Sequence, residues 1–533
     1  MAKYRSILNF ANQYSAYKQG YAIGIENFPF LREETQAGVF TPPRLGLQAY
    51  SRSGDNAPTD ISTEPDGTII ISVDGGVPVT ANIATATLNT ANSIVNALEN
   101  AINTALGTAG QDARVWVDFD STNGRYIIYS QKTLAKNVTV TGGTLASVLK
   151  LGVVNGGVEQ LGSPSPDYFW VQKIGVKHSQ DFEMSKHRSG RQASNIIKKK
   201  KMLEGDVEMY VNIGTNPSTN SVIIDESVKL LLKCIFGNMR ESANEISFDQ
   251  AQPPQTYFSL VQGNNVFGRY ANGCYVKNFT LTLPGDGEAS MKFTMKGRES
   301  KECSIAKIST AVNNNAIVTC VNNEEENFEP GARVMIVDVD GRTILDGYDG
   351  TLLINSVNLQ SNTITLNRNV TIPANGYLVP WLPHVFGFGG VDNPITGLQG
   401  YVSFDGGTTR IEEIKSVEIS VDPKTEDLDN FYGTDTNRGY IVGDRSEISV
   451  KVEMLLSASQ FRKIMQTRRF QEFEMKIVLG DENGRHLEVY CPRVLYKIPG
   501  VEIPDAGSIP VTFEGFALQR ELGSLDAIKL TYR

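Results

Sequence analysis

The chain has 533 residues, of which 20% are charged and 40% hydrophobic, ordinary values for a folded soluble protein of about three or four domains. Its formal net charge of −9 argues against a protein that holds nucleic acid by displacing counterions, while leaving room for a channel through which DNA merely passes. The 49 glycines favour turns and strands over a helix-rich architecture.

In chain order, residues 1–64 form an N-terminal arm that leads into the first of two similar units. The opening "MAKYRSILNFANQYSAYKQG" has no apolar stretch before its polar residues, and no later segment offers about 18 uninterrupted apolar residues. Neither a signal peptide nor a membrane span is expected. Residues 65–158 read as an inserted α+β module. It has a strand in "GTIIISVDGG", an amphipathic helix in "TLNTANSIVNALENAINTAL" with Ile94, Val95, Leu98 and Ile102 on one face, and a hairpin turning at Asn123-Gly124.

Residues 159–302 and 395–533 repeat one pattern. Each opens on an alternating strand, "WVQKIGVKH" or "EIKSVEISVD", passes a long polar loop, and reaches a strand containing Val-Glu-Met, "GDVEMYV" or "SVKVEML". A helix follows. In "DESVKLLLKCIFG", Asp225 stands at the N-cap, Val228, Leu231, Leu232 and Ile235 share a face, and Gly237 provides the exit. In "SASQFRKIMQTRRF", Ser457 and Gln460 have capping-box spacing, and Phe461, Ile464 and Met465 make the apolar stripe. Both units close on two alternating strands separated by Pro284-Gly285 or Pro499-Gly500. Residues 303–394 between them read as an inserted small β-barrel of five or six short strands. The expected fold is mainly β, with two tandem β-sandwich or barrel units that each carry one helix.

Little in the chain suggests catalysis. The histidines His178, His187, His384 and His486 offer no metal or dyad spacing, and Cys234, Cys274, Cys303, Cys320 and Cys491 contain no CxxC. "VDVDGR" at 337–342 lacks the later ligands of a calcium loop and reads as a hairpin turn. No P-loop, GxSxG or dinucleotide fingerprint is present. No catalytic, cofactor or metal residue is assigned, and an enzyme is not expected.

Charge is distributed unequally between the two polar loops. The first carries Lys186, Arg188, Arg191, Lys198, Lys199, Lys200 and Lys201; the second carries Asp422, Glu426, Asp427, Asp429 and Asp435. Three readings stand open: complementary loops that set register across an interface, a phosphate contact, or solvated loop edges. Strand alternation puts Glu208 and Glu453 opposite Val207, Met209, Val452 and Met454. If the apolar sides meet the helices, these glutamates face either a channel or the outer surface.

The closing "EVYCPRVLYKIPGVEIPDAGSIPVTFEGFALQ", its counterpart "GCYVKNFTLTLPGDGEASMKFTMKGRE" and the opening "YAIGIENFPFLREETQAGVFTPP" resemble the tail tube (major tail) proteins of long-tailed bacteriophages. The likeness covers about 300 residues, outside both insertions. It implies a structural virion protein whose six-domain rings stack into a tube for DNA ejection. The tube domains would be duplicated here, so three chains would close a pseudo-hexamer. It further implies partners among other tail proteins, a place in the virion tail, and assembly in the host cytoplasm. The loops Phe182 to Lys201 and Asp422 to Arg438 stand where the family's long loops reach a neighbouring subunit or ring. Other ring-forming tail or baseplate components and a surface-binding adhesin remain the alternatives.

Overall fold

The computed structural model describes the chain apart from residues 1–3, 6–9, 19–27, 47–48, 122, 132–136, 164, 169–170, 185–195, 216–218, 251–255, 265, 384–392, 398–399, 412–413, 429–439, 443–445, 482–483, 502–508, 522 and 525; the side chains of 4–5, 13, 16–18, 28, 179–184, 196–201, 427 and 442 also lie outside the description. The protein is mainly β, with several sheets and five α-helices among the described residues.

The largest sheet contains the repeat. Its first half comprises β1 (Phe28–Glu33), β2 (Lys177–Met184), β3 (Ile196–Tyr210), α1 (Glu226–Phe236), β4 (Phe258–Gly263), β5 (Phe267–Pro284), β6 (Ser290–Gly297) and β7 (Glu299–Ser304). The second comprises β8 (Tyr401–Ser403), β9 (Ile414–Asp422), β10 (Glu447–Leu455), α2 (Ala458–Thr467), β11 (Phe473–Gly480), β12 (His486–Tyr496), β13 (Pro510–Leu518) and β14 (Lys529–Tyr532). The antiparallel pairs β1–β4, β4–β5, β5–β7, β5–β6, β6–β3 and β3–β2 in the first half recur in the second as β8–β11, β11–β12, β12–β14, β12–β13, β13–β10 and β10–β9. Every strand therefore has a counterpart seven places later in this numbering.

Strand alternation divides each half into an apolar and a polar face. Val207, Met209, Met291, Phe293 and Leu281 join Val417, Ile419, Val450, Val452, Met454 and Phe513 in one continuous core, and every one of these side chains is buried. Helix α1 lies against that core, its Phe236 ring meeting Phe279 edge-on at 5.9 Å. Gly237 takes the expected left-handed exit at φ 94°. Neither Asp225 at the N-cap of α1 nor Ser457 at that of α2 makes a side-chain capping bond to the helix backbone; the Ser457 hydroxyl instead lies 2.9 Å from that of Ser459. The capping box expected there does not form: Gln460 is buried and its amide oxygen accepts from the Ser459 hydroxyl.

Helix α2 departs from expectation on its surface too. Ile464 is fully buried, but Phe461 is 53% and Met465 36% exposed. The buried face runs through Gln460, Ile464 and Thr467, and Lys463 extends over the Phe404 ring at 4.8 Å. The same ammonium lies 5.9 Å from the Phe473 ring centroid, so a cation meets two aromatic rings on this side of the helix.

At the two described ends of the polar loop expected at Phe182 to Lys201, residues 182–184 and 196–201 form paired strand. Lys198 pairs with Phe182 and Lys201 with Gln180 across β2 and β3, with a bulge between Gln180 and Phe182. The lysine run thus continues the Val-Glu-Met strand rather than ending it.

The inserted units reach further than their central segments. The helix Ala91–Thr108 has a Thr90–Ser93 capping box and buries Ile94, Leu98 and Ile102. The expected hairpin turns at Gly124 with φ 63°, aligning Asp120 with Arg125. Tyr50–Arg52 and Val158–Gln160 pair together beside it, so strand material upstream of residue 65 belongs to this unit. In the second insertion, five- and three-stranded sheets enclose another core. Tyr4–Arg5 pairs with Thr343–Ile344 of this unit, and Phe10 is buried in its core, which draws the N-terminal residues away from the repeat.

Candidate assembly surface

The two halves meet edge to edge. Along β5, β4 occupies one side as far as Cys274, and from Phe279 onward β9 takes that same side. Phe279 stands opposite Val421, Leu281 opposite Ile419, and Leu283 opposite Val417. All six side chains are buried in the shared core. On the polar side, Thr280 and Ser420 approach to 3.5 Å between hydroxyl oxygens. Gly285 permits the close approach at the end of this seam, since a Cβ there would lie 2.6 Å from the Ile414 carbonyl oxygen.

A hairpin spanning Gly237–Glu241 and Ile246–Gln250 in the first half adds a second seam by pairing with β14. Phe248 meets Tyr532 at 6.2 Å, and Glu245 takes Lys529 at 3.4 Å and Arg533 at 3.5 Å. A third contact comes from the short strand Tyr440–Val442, which pairs with Thr425–Asp427. Its Tyr440 ring stacks on Tyr275 at 4.2 Å and meets Tyr257 at 5.4 Å.

The pairing series has two open margins. Among the described residues, the outer side of β2 has no strand partner, and the side of β12 occupied by β11 up to Val494 has none beyond it. These are the counterparts of β9 and the end of β5, the two edges joined inside the chain. Near the end of β12, Ile498 just beyond the strand is 55% exposed, and on β13, paired along the other side of β12, Phe516 is 37% and Leu518 36% exposed. Sequence alternation did not single out these residues; only comparison of corresponding positions between the halves separates the covered edge from the bare one.

Of the basic positions, Lys186, Arg188 and Arg191 lie outside the described residues, while Lys198, Lys199, Lys200 and Lys201 fall on β3 with no side-chain description. Among the acidic positions, Asp422 ends β9 opposite Glu447, and Lys424 binds both, at 2.9 and 3.0 Å. Lys424 thus satisfies locally two carboxylates that a distant basic loop would otherwise attract; their hydrogen bonds raise its pKa. Glu426 is exposed on the next short strand, Asp427 lies on that strand, and Asp429 and Asp435 are outside the description.

Glu208 and Glu453 occupy corresponding places on the polar face, away from the helices. Lys292 lies 2.8 Å from Asp206 and 3.7 Å from Glu208, and Lys415 lies 3.5 Å from Glu453. Burial raises the Asp206 pKa, but hydrogen bonds from Lys292 and Thr294 outweigh it and hold the carboxyl below its ordinary range. Carboxylates and lysines thus pair across neighbouring strands on this face.

In the "VDVDGR" segment, one Asp340 carboxylate oxygen accepts from the Arg342 and Thr343 backbone N–H groups, and the other accepts from the Thr343 hydroxyl at 2.6 Å. It is built as a hairpin turn. No family model and no curated protein matches this chain.

Proposed function

We propose that this chain is a tail tube subunit, with duplicated tube domains that use exposed strand edges to build rings around a channel for DNA. The β5–β9 seam carries the reading. One half already joins the next through a continuous antiparallel sheet, and each unpaired margin corresponds to an edge used in that seam. Pairing β12 of one chain with β2 of another would repeat the internal joint. Six units would then require three chains, because each supplies two.

The register follows from the internal seam. His178 faces Leu203 as Val421 faces Ile448, and Ile174 faces Val207 as Val417 faces Val452. In a closed ring, Ile174, Val176 and His178 would take the places of Val417, Ile419 and Val421 against a neighbour's β12 extension. The polar face would line the lumen, where balanced lysines and the carboxylates of Glu208 and Glu453 give a DNA polyanion little to bind. Stacking of such rings would produce the passage used during ejection.

Electron microscopy of purified protein, with symmetry analysis of end-on views and a parallel mass determination, tests this reading. Stacked rings of three chains around a channel support it. Six-chain rings reject the proposed use of two units per chain, isolated rings that do not stack favour another ring-forming tail component, and a persistent monomer at high concentration rejects the assembly.

A further inference from the structure

We propose that the outer face of α2, where Phe461, Met465 and Phe470 stand among Arg462, Arg468 and Arg469, is a docking surface for an acidic amphipathic segment of a different protein. The inference stands apart from ring assembly and concerns one half of the chain only. Phe470 is the clearest sign of it. Its backbone lies in the left-handed region at φ 56°, which a bulky side chain rarely adopts, and its ring is 76% exposed. At the corresponding exit of α1 the chain uses Gly237. An N–H bond from Phe470 to the Thr467 carbonyl, and one from Gln471 to the Gln466 carbonyl, hold this turn and keep the ring in solvent. Backbone strain that presents an aromatic side chain to water is the mark of a binding residue.

The two helices differ in the residues of this face. Counting from the N-caps, Phe461 and Met465 take the places of Lys229 and Lys233. In the first half those lysines are bound from within: Lys229 lies 2.8 Å from Glu226 and 2.7 Å from Glu241, and Lys233 2.7 Å from Glu33. The first half closes that face of α1 with its own carboxylates, so copying the internal joint between chains puts nothing over α2. On α2 the balance is reversed. The helix has no acidic residue, and the exposed Arg462, Arg468 and Arg469 form no ion pair among the described residues, while the first carboxylate beyond them, Glu472, is taken by Arg493 at 2.5 Å. Guanidinium groups bind carboxylates through paired N–H donors, and the apolar side chains between them call for apolar side chains in return. A phosphate backbone would meet the arginines and leave Phe461, Met465 and Phe470 in water. A helix of ten residues with this short a stripe offers little apolar face to a lipid surface. Charge complementarity with apolar contact selects an acidic amphipathic polypeptide as the occupant.

Fluorescence anisotropy on the full-length chain tests the surface, with a labelled helical peptide of glutamate and leucine in amphipathic order and a permuted peptide of the same composition. The amphipathic peptide should bind at least tenfold more tightly than the permuted one, and less tightly as salt rises. Phe470→Gly, and separately Arg468→Ser with Arg469→Ser, should each weaken binding at least tenfold. Phe470→Gly should also keep or raise the midpoint of chemical denaturation, because glycine accepts the left-handed backbone, and this separates lost binding from lost folding. Absence of binding, equal affinity for both peptides, or unchanged binding in either variant overturns the proposal. Tighter retention of duplex DNA or of phosphatidylserine vesicles through the same residues overturns it in favour of those ligands, and a fall in oligomer mass in either variant overturns it in favour of a second copy.

Discussion

Tyr440 from the second half stacks on Tyr275 of the first with ring centroids 4.2 Å apart. The sequence separates these aromatics by 165 residues (440 − 275), but the fold uses their contact to brace the joint made by β5 and β9. Tyr440 also approaches Tyr257 at 5.4 Å, making a three-ring cluster with Tyr275.

Tyr440→Ala is therefore expected to cost about 2–4 kcal/mol, combining lost apolar burial with the absent ring interactions. Chemical denaturation should show an earlier transition, and native-state hydrogen exchange should accelerate around Tyr257 and Tyr275 more than in the inserted helix Ala91–Thr108. Equal acceleration throughout the chain would contradict a local brace.

The repeated strands and helices are visible in the sequence because alternation and amphipathic stripes are local patterns. Glu208 and Glu453 can be assigned to one polar face from Val-Glu-Met, and Gly237 is legible as a helix exit. The joint is less legible: nothing in "NFTLTLP" alone names "VEISV" as its neighbour. Pairing depends on an edge left vacant where β4 ends. Phe461 and Met465 mislead for a related reason. A stripe identifies apolar residues that can pack together, but here Lys463 sets its ammonium over the Phe404 ring at 4.8 Å.

Asp206 provides a pH test of the polar face. Its folded pKa is depressed, so its ionised-state stabilisation is fully present above the unfolded value near 3.8 and is lost as pH falls through the lower folded value. Asp206→Asn should be less stable than wild type by about 0.5 kcal/mol at pH 7, a modest cost for partly exposed groups. The difference should shrink in denaturation series on descending through pH 4 toward pH 2. A difference that grows with acid would reverse the assigned linkage.

Reversing the two corresponding carboxylates tests the lumen assignment. Glu208→Lys and Glu453→Lys together change the charge by four units per chain, or about twelve in a three-chain ring. Assembled variant rings should retain short double-stranded DNA at low salt and release it as salt rises, while wild-type rings do not retain it. Fluorescence anisotropy on rings isolated by size would measure the difference. Equal DNA binding by wild-type and variant rings would reject this placement of the two side chains.

Ile464 and Phe461 make opposed stability predictions despite their places in one apolar stripe. Ile464 has no exposed surface, whereas Phe461 is 53% exposed. Ile464→Ala should cost about 2–5 kcal/mol because it empties a packed position; Phe461→Ser should stay within about 1 kcal/mol of wild type because little buried surface is lost. Urea denaturation of the two variants below the assembly concentration would separate folding effects from association. A larger loss from Phe461→Ser than from Ile464→Ala would reject the helix orientation, since a side chain largely in solvent cannot account for more core stability than one enclosed on every side.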